Sequence, residues 1–233
     1  MKFTQIREPE VQKPLIIAAL QDMGNVGNIV IDFINKSKKT IPFRTAESTQ
    51  ISYVLDNGGR IEIPKEVWDY RYTEDIIIFG GGYGQPKSND ELHALCQDVI
   101  ETAKKYSAKF IYTVGGFHTE QPLTTNPKTF VTTTSDDLSE QIKKLDVSMT
   151  PAKSVITGFN GLILGYAKIN GIQGIGLYGE LNEPAIPQYR TAKSIIGTLE
   201  KLTYQSFGEK QELDILASDV ERKVKSGWKE DFD

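Results

Sequence analysis

The chain has 233 residues, of which 39% are apolar and 25% are charged, and this length can bury one core of ordinary size. A formal charge of −4 argues against the large basic surface on which nucleic-acid binding depends. The single cysteine, Cys96, excludes an internal disulfide, and the first residues lack the apolar run of a signal peptide or a membrane span.

The first part of the chain predicts a strand, a turn and a helix, followed by a hairpin. Residues 14–20 form a short apolar run that suits a buried strand, and the apolar residues of 26–34 recur at helical spacing. Residues 51–64 predict two extended arms around the Asn-Gly-Gly sequence at 57–59, since these residue types tolerate the positive φ of tight hairpins. The hairpin therefore interrupts an alternation of strands and helices.

The alternation resumes after the hairpin and continues almost to the end of the chain. Further strands are predicted at 75–86, 109–118, 129–135 and 174–181. Further helices are predicted at 92–103, 138–145, 161–169, 192–202 and 213–224. Ser88 and Glu91 indicate a capping box at the start of the first of these helices.

This order of elements predicts an α/β fold. Parallel strands need crossover connections that place helices on both faces of the sheet, so we expect a three-layer α/β/α sandwich with a mostly parallel sheet, the inserted hairpin and C-terminal helices. Residues 1–208 are predicted to form this domain, and residues 209–233 to add an amphipathic helix and a flexible tail.

Glycines gather at the carboxyl ends of several predicted strands. Ligands of open parallel sheets usually bind beyond the carboxyl ends of the strands, and glycines let the backbone approach an anion closely. The resulting candidates for a ligand pocket are Gly24, Gly27, Asn28, Gly81, Gly82, Tyr83, Gly115, Gly116, His118 and Glu180. No complete P-loop or dinucleotide fingerprint is present, so the same glycines also fit tight turns with unusual φ angles.

The sequence predicts no catalytic residue, metal site or cofactor. His118 is the histidine best placed for proton transfer, but no Gly-x-Ser-x-Gly elbow is present, and Cys96 lies on the apolar face of a predicted helix. Two histidines and one cysteine, far apart in sequence, form no zinc cluster. Asp22 and Glu180 follow strands and could meet a cation or a substrate amine, with surface or capping roles as the alternative.

Residues 158–181 are rich in glycine around leucine and isoleucine. Gly161 and Gly165 share one side of the predicted helix, which favours close packing of that helix on the sheet or on another subunit over the binding of a phosphate. The candidates for a partner interface are Gly158, Asn160, Gly161, Leu162 and Gly165, together with Phe232 near the C-terminus.

Four segments in this order resemble the archaeal branch of the proteasome assembly chaperone family, which has also been labelled an ATP-grasp-like family. They are "DMGNVGNIVIDFI" at 22–34, "IYTVGGFHTEQP" at 111–122, the glycine-rich stretch at 154–181 and "PQYRTAKSIIGTLEKL" at 187–202. The third segment is the most specific, and the likeness spans most of the chain.

The resemblance implies a phosphorylase-type α/β/α fold, assembly into homo-oligomers and a non-catalytic role in helping proteasome subunits or another client to assemble. The cytoplasm is expected separately, from the single cysteine and the lack of an apolar run at the start of the sequence. Family members dock through a C-terminal signature of a hydrophobic residue, tyrosine and any last residue. Here the sequence ends in Asp231, Phe232 and Asp233, which departs from that signature. The alternative is a phosphorylase- or ligase-like enzyme that binds a nucleotide or a phosphate metabolite through the glycine loops.

Overall fold

The computed structural model describes residues 1–82, 84–120, 126–151 and 153–226, and shows one nine-stranded sheet and a separate hairpin. The strands are β1 (Lys2–Gln5), β2 (Leu15–Ala18), β3 (Ile41–Glu47), β4 (Leu55–Asp56), β5 (Ile61–Glu62), β6 (Val67–Tyr72), β7 (Ile76–Gly80), β8 (Phe110–His118), β9 (Thr129–Thr133), β10 (Ser148–Met149) and β11 (Gln173–Leu181). The sheet has the order β1-β3-β6-β7-β2-β8-β11-β9-β10, and β4 pairs with β5 in the separate hairpin.

Helices cover both faces of the sheet. They are α1 (Val26–Lys38), α2 (Asn89–Lys105), α3 (Asp136–Lys143), α4 (Gly158–Ile169), α5 (Tyr189–Thr203) and α6 (Gln211–Lys225). Successive residues of β2 point into different cores: Ile17 packs with α1, α3, α5 and α6, whereas Ile16 packs with α2 and α4. The predicted α/β/α sandwich is therefore confirmed.

The centre of the sheet is parallel, as the alternation of strands and helices predicts. The strands β7, β2, β8 and β11 pair in parallel, and β7 is apolar and buried throughout, as expected of a strand covered on both faces. Antiparallel strands extend the sheet on both flanks: β6 pairs with β7, and β9 pairs with β11.

The predicted hairpin is confirmed, and the pairing of β6 fixes its position. Strand β6 runs antiparallel to β7, with Asp69 opposite Gly80, so β6 begins where β7 ends. The connection from β3 to β6 contains the hairpin β4–β5 and therefore projects from the end of the sheet at which β7, β2, β8 and β11 finish. We call this end the carboxyl edge.

The capping box predicted at the start of α2 is wrong. Ser88 is the N-cap residue, but its side chain accepts no hydrogen bond from the helix. Glu91 is buried, and its carboxylate instead accepts hydrogen bonds from the Ser48 hydroxyl at 2.5 Å and from the Thr49 backbone N–H at 2.8 Å. A contact between residues far apart in sequence has replaced the local one.

The last helix, α6, packs on α5. Leu213 and Ala217 are buried at this contact, and Lys193 of α5 forms an ion pair with Asp214 at 2.6 Å. The apolar face of α6 is thus occupied by the rest of the chain, while Ile215 remains exposed. No helix in the described ranges combines the length and the apolar character needed to cross a membrane.

Candidate functional site

A cavity of about 370 Å³ opens at the carboxyl edge. It lies between the end of β8, the loop that precedes α1 and the first turn of α4. Its polar lining includes Asp22, Gln85, His118, Thr157, Asn160 and Tyr178. Its apolar lining includes Met23, Val155 and Ile156, which are all exposed and therefore form the mouth.

Asp22 connects the loop after β2 to the end of β8. Its Oδ1 accepts a hydrogen bond from the Gly27 backbone N–H at 2.8 Å, and its Oδ2 accepts one from the Gly116 backbone N–H at 2.5 Å. Burial of the carboxyl group raises the pKa of Asp22 from the usual 3.8 to about 6, although these backbone hydrogen bonds lower it in part. The carboxylate is therefore a desolvated negative charge at the cavity.

Asn160 fixes the opposite wall of the cavity. Its side-chain Oδ1 accepts a hydrogen bond from the Leu20 backbone N–H at 3.0 Å, and its Nδ2 donates one to the Leu20 carbonyl oxygen at 3.2 Å. The Tyr178 hydroxyl donates to the Asn160 carbonyl oxygen at 2.9 Å. The side chain of Asn160 is thus committed to holding α4 against the end of β2.

Gln85 provides the cap of α4 from a distant loop. Its Oε1 accepts a hydrogen bond from the Phe159 backbone N–H at 2.9 Å, and its Nε2 donates to the Gln21 carbonyl oxygen at 3.2 Å. Gly158 has a φ of +70° directly beside this side chain. The local N-cap residue, Thr157, makes no side-chain capping bond, and this is why no pattern in α4 itself points to Gln85.

The structure separates the residues proposed for a ligand pocket into two groups. Gly115, Gly116 and His118 line the cavity. The described candidates that do not line it are Gly24, Gly27, Asn28, Gly81, Gly82 and Glu180. Tyr83 lies outside the described residues.

Contacts within the chain account for several residues in the second group. A Cβ atom on Gly27 would lie 2.5 Å from the Leu20 carbonyl oxygen, so this glycine allows α1 to pack against the end of β2. The Glu180 Oε2 accepts a hydrogen bond from the Lys128 backbone N–H at 3.0 Å, which ties β11 to the start of β9. The expectation that Glu180 follows a strand is wrong, because it lies within β11, and it stabilises a different part of the sheet from Asp22.

Most of the residues proposed for a partner interface face the chain itself. A Cβ atom on Gly161 would lie 2.5 Å from the Ile156 carbonyl oxygen, and Leu162 is half-buried against the core on the side of α2. Asn160 is buried, whereas Gly165 is exposed with open space around its Cα. Of these residues, Gly165 remains open to a partner, and Phe232 lies outside the described residues.

The charge of the cavity does not suit a phosphate. Asp22 is the carboxylate among the lining residues, and the lining contains no lysine or arginine within the described ranges. Cys96 lies in the core, where burial raises the pKa of its thiol to about 12, so it is a poor nucleophile. In those same ranges, no three His, Cys, Asp or Glu side chains are grouped so that they could hold a metal ion.

Comparison with protein families gives a match along almost the whole chain. The profile of the PAC2 family matches residues 16–226. The chain belongs to the PAC2 family. This finding supports the chaperone-family resemblance seen in the four sequence segments, whereas the ATP-grasp-like label receives no support from it.

Solved structures of two archaeal proteins have the same fold. The backbone is similar to Pyrococcus furiosus PbaB, an archaeal proteasome activator, with a TM-score of 0.83, 22% identity and 97% of each chain covered. Pyrococcus furiosus PbaA, an archaeal homologue of proteasome-assembly chaperone, gives a TM-score of 0.78 and 20% identity, with 97% of this chain and 96% of that one covered. At these identities the similarity shows the fold.

Two further relatives extend this comparison. A proteasome-assembly chaperone homologue from Mycobacterium tuberculosis gives a TM-score of 0.71 at 14% identity, with 93% of this chain and 96% of that one covered. An uncharacterized protein of Methanocaldococcus jannaschii is 27% identical over 173 residues, which are 73% of this chain and 66% of that protein. The chain therefore matches about two thirds of the length of this relative.

Proposed function

We propose that this PAC2 protein is a non-catalytic, homo-oligomeric assembly factor that binds protein clients in the cytoplasm, and that proteasome α subunits are its clients. Membership of the family along residues 16–226 supports this role. So does the fold shared with proteins named as a proteasome activator and as homologues of assembly chaperones.

The observation that carries the proposal is the apolar surface of the carboxyl edge. Most of the large apolar side chains that are exposed in the described residues lie at this edge. They are Met23, Tyr53, Val54, Leu55, Ile61, Ile63, Val155 and Ile156. Exposed apolar side chains gathered in one region are typical of protein interaction sites.

The hairpin β4–β5 and the residues beside it, 53, 54 and 63, contribute five of these eight side chains, and every residue of β4 and β5 is exposed. Ile61 is 62% exposed and Ile63 is 74% exposed. Leu55 lies opposite Glu62 on one face, and Ile61 lies opposite Asp56 on the other, so both faces carry an exposed apolar residue. An isolated two-stranded hairpin is at best marginally stable in water, so a partner that covers it would stabilise it.

The same geometry favours a binding role over the enzyme alternative. A nucleotide or a phosphate metabolite would need donors or positive charge at the strand ends. The cavity instead presents the carboxylate of Asp22, and Gly24 and Gly27 are occupied by packing within the chain. The packing at Gly24 and Gly27 supports a structural role for these glycines. Protein binding therefore explains the exposed apolar edge better than nucleotide binding does.

The test mixes the full chain with proteasome α subunits of its source organism and measures complex formation by native mass spectrometry. We expect the wild type to form a complex and the double variant Ile61→Ser/Ile63→Ser to bind at least about tenfold more weakly. The matched control is Ile169→Ser, because Ile169 is 85% exposed at the end of α4, away from the hairpin. This control should bind like the wild type.

Two results would contradict the proposal. One is the absence of a complex between the wild-type chain and α subunits at micromolar concentrations. The other is equal loss of binding in the hairpin variant and the Ile169 control, since the carboxyl edge would then have no special part. The same spectra give the oligomeric state, and dissociation of the oligomer in the hairpin variant alone would assign the hairpin to self-association instead of client binding.

A further inference from the structure

The cavity at the carboxyl edge combines an anionic wall with an apolar mouth. Asp22 supplies the negative charge, and the exposed side chains of Met23, Val155 and Ile156 supply the mouth. Lys153 belongs to the same loop as Val155 and Ile156 but does not line the cavity. A volume of about 370 Å³ is within the range of small-ligand sites.

The polar groups around Asp22 orient its carboxylate without neutralising it. Gly27 and Gly116 each donate one backbone hydrogen bond to it, and the backbone N–H groups of Asp22 itself and Val26 stabilise it further. All of these donors are neutral, so none of them balances the negative charge. The side-chain amide of Asn160 is hydrogen-bonded to the Leu20 backbone, and the Tyr178 hydroxyl donates its hydrogen bond to the Asn160 carbonyl oxygen. The group that would complete this site is therefore a hydrogen-bond donor with a positive charge.

We infer that the cavity binds an alkylammonium group, with the ammonium at Asp22 and the alkyl stem against Met23, Val155 and Ile156. A charged donor forms a stronger hydrogen bond with a carboxylate than a neutral donor does, and the effect is greatest where the carboxylate is desolvated. An apolar stem of a few methylene groups gains further from leaving water at the mouth. The ligand is either a free amine or a lysine side chain of a bound protein.

This inference goes beyond the proposed function and does not depend on it. The desolvation that raises the pKa of Asp22 is consistent with the inference, because a buried carboxylate without a cation is costly to ionise and gains from one. A phosphate would meet the opposite situation, with its own charge repelled by Asp22.

The experiment records ¹H–¹⁵N correlation spectra of the full chain during titration with n-pentylammonium, pentan-1-ol, pentanoate and inorganic phosphate. The reporters are the backbone amides of Gly115 and Gly116 and the side-chain amide of Asn160, which all belong to the cavity. We expect saturable shifts with n-pentylammonium, binding of pentan-1-ol at least about tenfold weaker, and no saturable shift with either anion. Equal binding of the alcohol and the ammonium, or saturable binding of phosphate, would overturn the inference.

Variants test the charge directly. Asp22→Asn should reduce the affinity for n-pentylammonium to that for pentan-1-ol, whereas Asp32→Asn, the same change at an exposed position of α1, should leave it unchanged. If Asp22→Asn does not fold, the comparison of n-pentylammonium with pentan-1-ol on the wild type still tests whether the positive charge of the ligand contributes to binding. An N-acetylated, C-amidated peptide with one central lysine distinguishes the two sources: binding as tight as that of n-pentylammonium assigns the site to a protein side chain, and no binding assigns it to a free amine.

Discussion

The cavity walls and the hairpin, both at the carboxyl edge, differ in what their side chains contact. Around the cavity, Asp22, Gln85 and Asn160 connect four separate parts of the chain through hydrogen bonds to backbone groups. In the hairpin, Ile61 and Ile63 are exposed although their residue types favour burial. The first region therefore stabilises the fold, while the second leaves apolar surface uncovered.

Because of this difference, we expect substitutions in the two regions to affect different properties of the protein. A substitution in the cavity walls breaks contacts that the isolated chain already makes, so it should lower the free energy of unfolding. A substitution in the hairpin removes surface that only a partner would cover, so it should act on binding.

Asn160→Ala should have the largest effect, with a loss of about 3 kcal/mol in the free energy of unfolding. The substitution leaves the buried N–H and carbonyl groups of Leu20 without their partner, and each such group costs about 1–3 kcal/mol. Urea denaturation at a fixed protein concentration measures the loss. The control is Asn170→Ala at the end of α4, where the side chain is exposed and a change within about 0.5 kcal/mol is expected.

Equal losses in the two asparagine variants would show that the hydrogen bonds between Asn160 and Leu20 stabilise the fold no more than the exposed side chain of Asn170 does. The cavity walls would then not differ from the surface, and the comparison between the two regions would fail.

Asp22 should make the stability depend on pH. Its pKa in the folded chain, about 6, lies above the usual 3.8, so between these values the folded state holds a proton that the unfolded chain has lost. The contribution of Asp22 to the free energy of unfolding therefore falls as the pH rises from about 4 to about 6, by about 3 kcal/mol, and is constant above that range.

The measurement compares the wild type with Asp22→Asn by urea denaturation at several pH values. The variant lacks the ionising group, so its stability relative to the wild type should increase from pH 4 to pH 7. This trend indicates a desolvated carboxylate. The hydrogen bonds lost in the variant change the difference in free energy of unfolding by the same amount at every pH, so they cannot produce the trend. A difference that does not vary with pH would mean that Asp22 is well solvated in the folded chain.

Sequence patterns predicted the centre of the fold better than its flank. The buried parallel strands and the helices beside them have long apolar runs or helical periodicity, and both signals are local. Strands β3 and β6 were missed because they mix charged, polar and aromatic residues. A register shift between Pro42 and Arg44 also breaks the alternation in β3. Strand β6 does alternate, with Trp68 and Tyr70 buried and Asp69 between them half-buried, but its charged residues and short length hid this period of two.

The candidate site was predicted in part for a similar reason. Gly115, Gly116 and His118 lie at the carboxyl end of a recognisable strand, so the rule that ligands bind at strand ends pointed to them as cavity residues. Gln85 was missed because its partner, the first turn of α4, is more than seventy residues away in sequence. Asn160 was expected at a partner interface because the spacing of glycines in a helix does not reveal which face the rest of the chain covers.

Two helical glycines should respond to alanine with opposite signs. Gly27→Ala should lower the free energy of unfolding by about 2 kcal/mol, because the new Cβ would lie 2.5 Å from the Leu20 carbonyl oxygen and backbone cannot yield easily. Gly165→Ala should raise it by about 0.5–1 kcal/mol, since the space around Gly165 is open and alanine favours the helix. Thermal denaturation of both variants beside the wild type measures the two shifts, and shifts of the same sign would contradict the assignment.

The double variant Ile61→Ser/Ile63→Ser should have the smallest effect on stability, within about 0.5 kcal/mol of the wild type at low protein concentration. Both side chains are mostly in solvent, so their removal exposes no core and opens no cavity. Urea denaturation over a hundredfold range of protein concentration sharpens this test, because an interface between copies makes apparent stability rise with concentration. A loss above about 1 kcal/mol at every concentration would show that the hairpin packs on its own chain. A loss that appears only at high concentration would place it between copies, and an unchanged midpoint throughout would leave its apolar surface for a different partner.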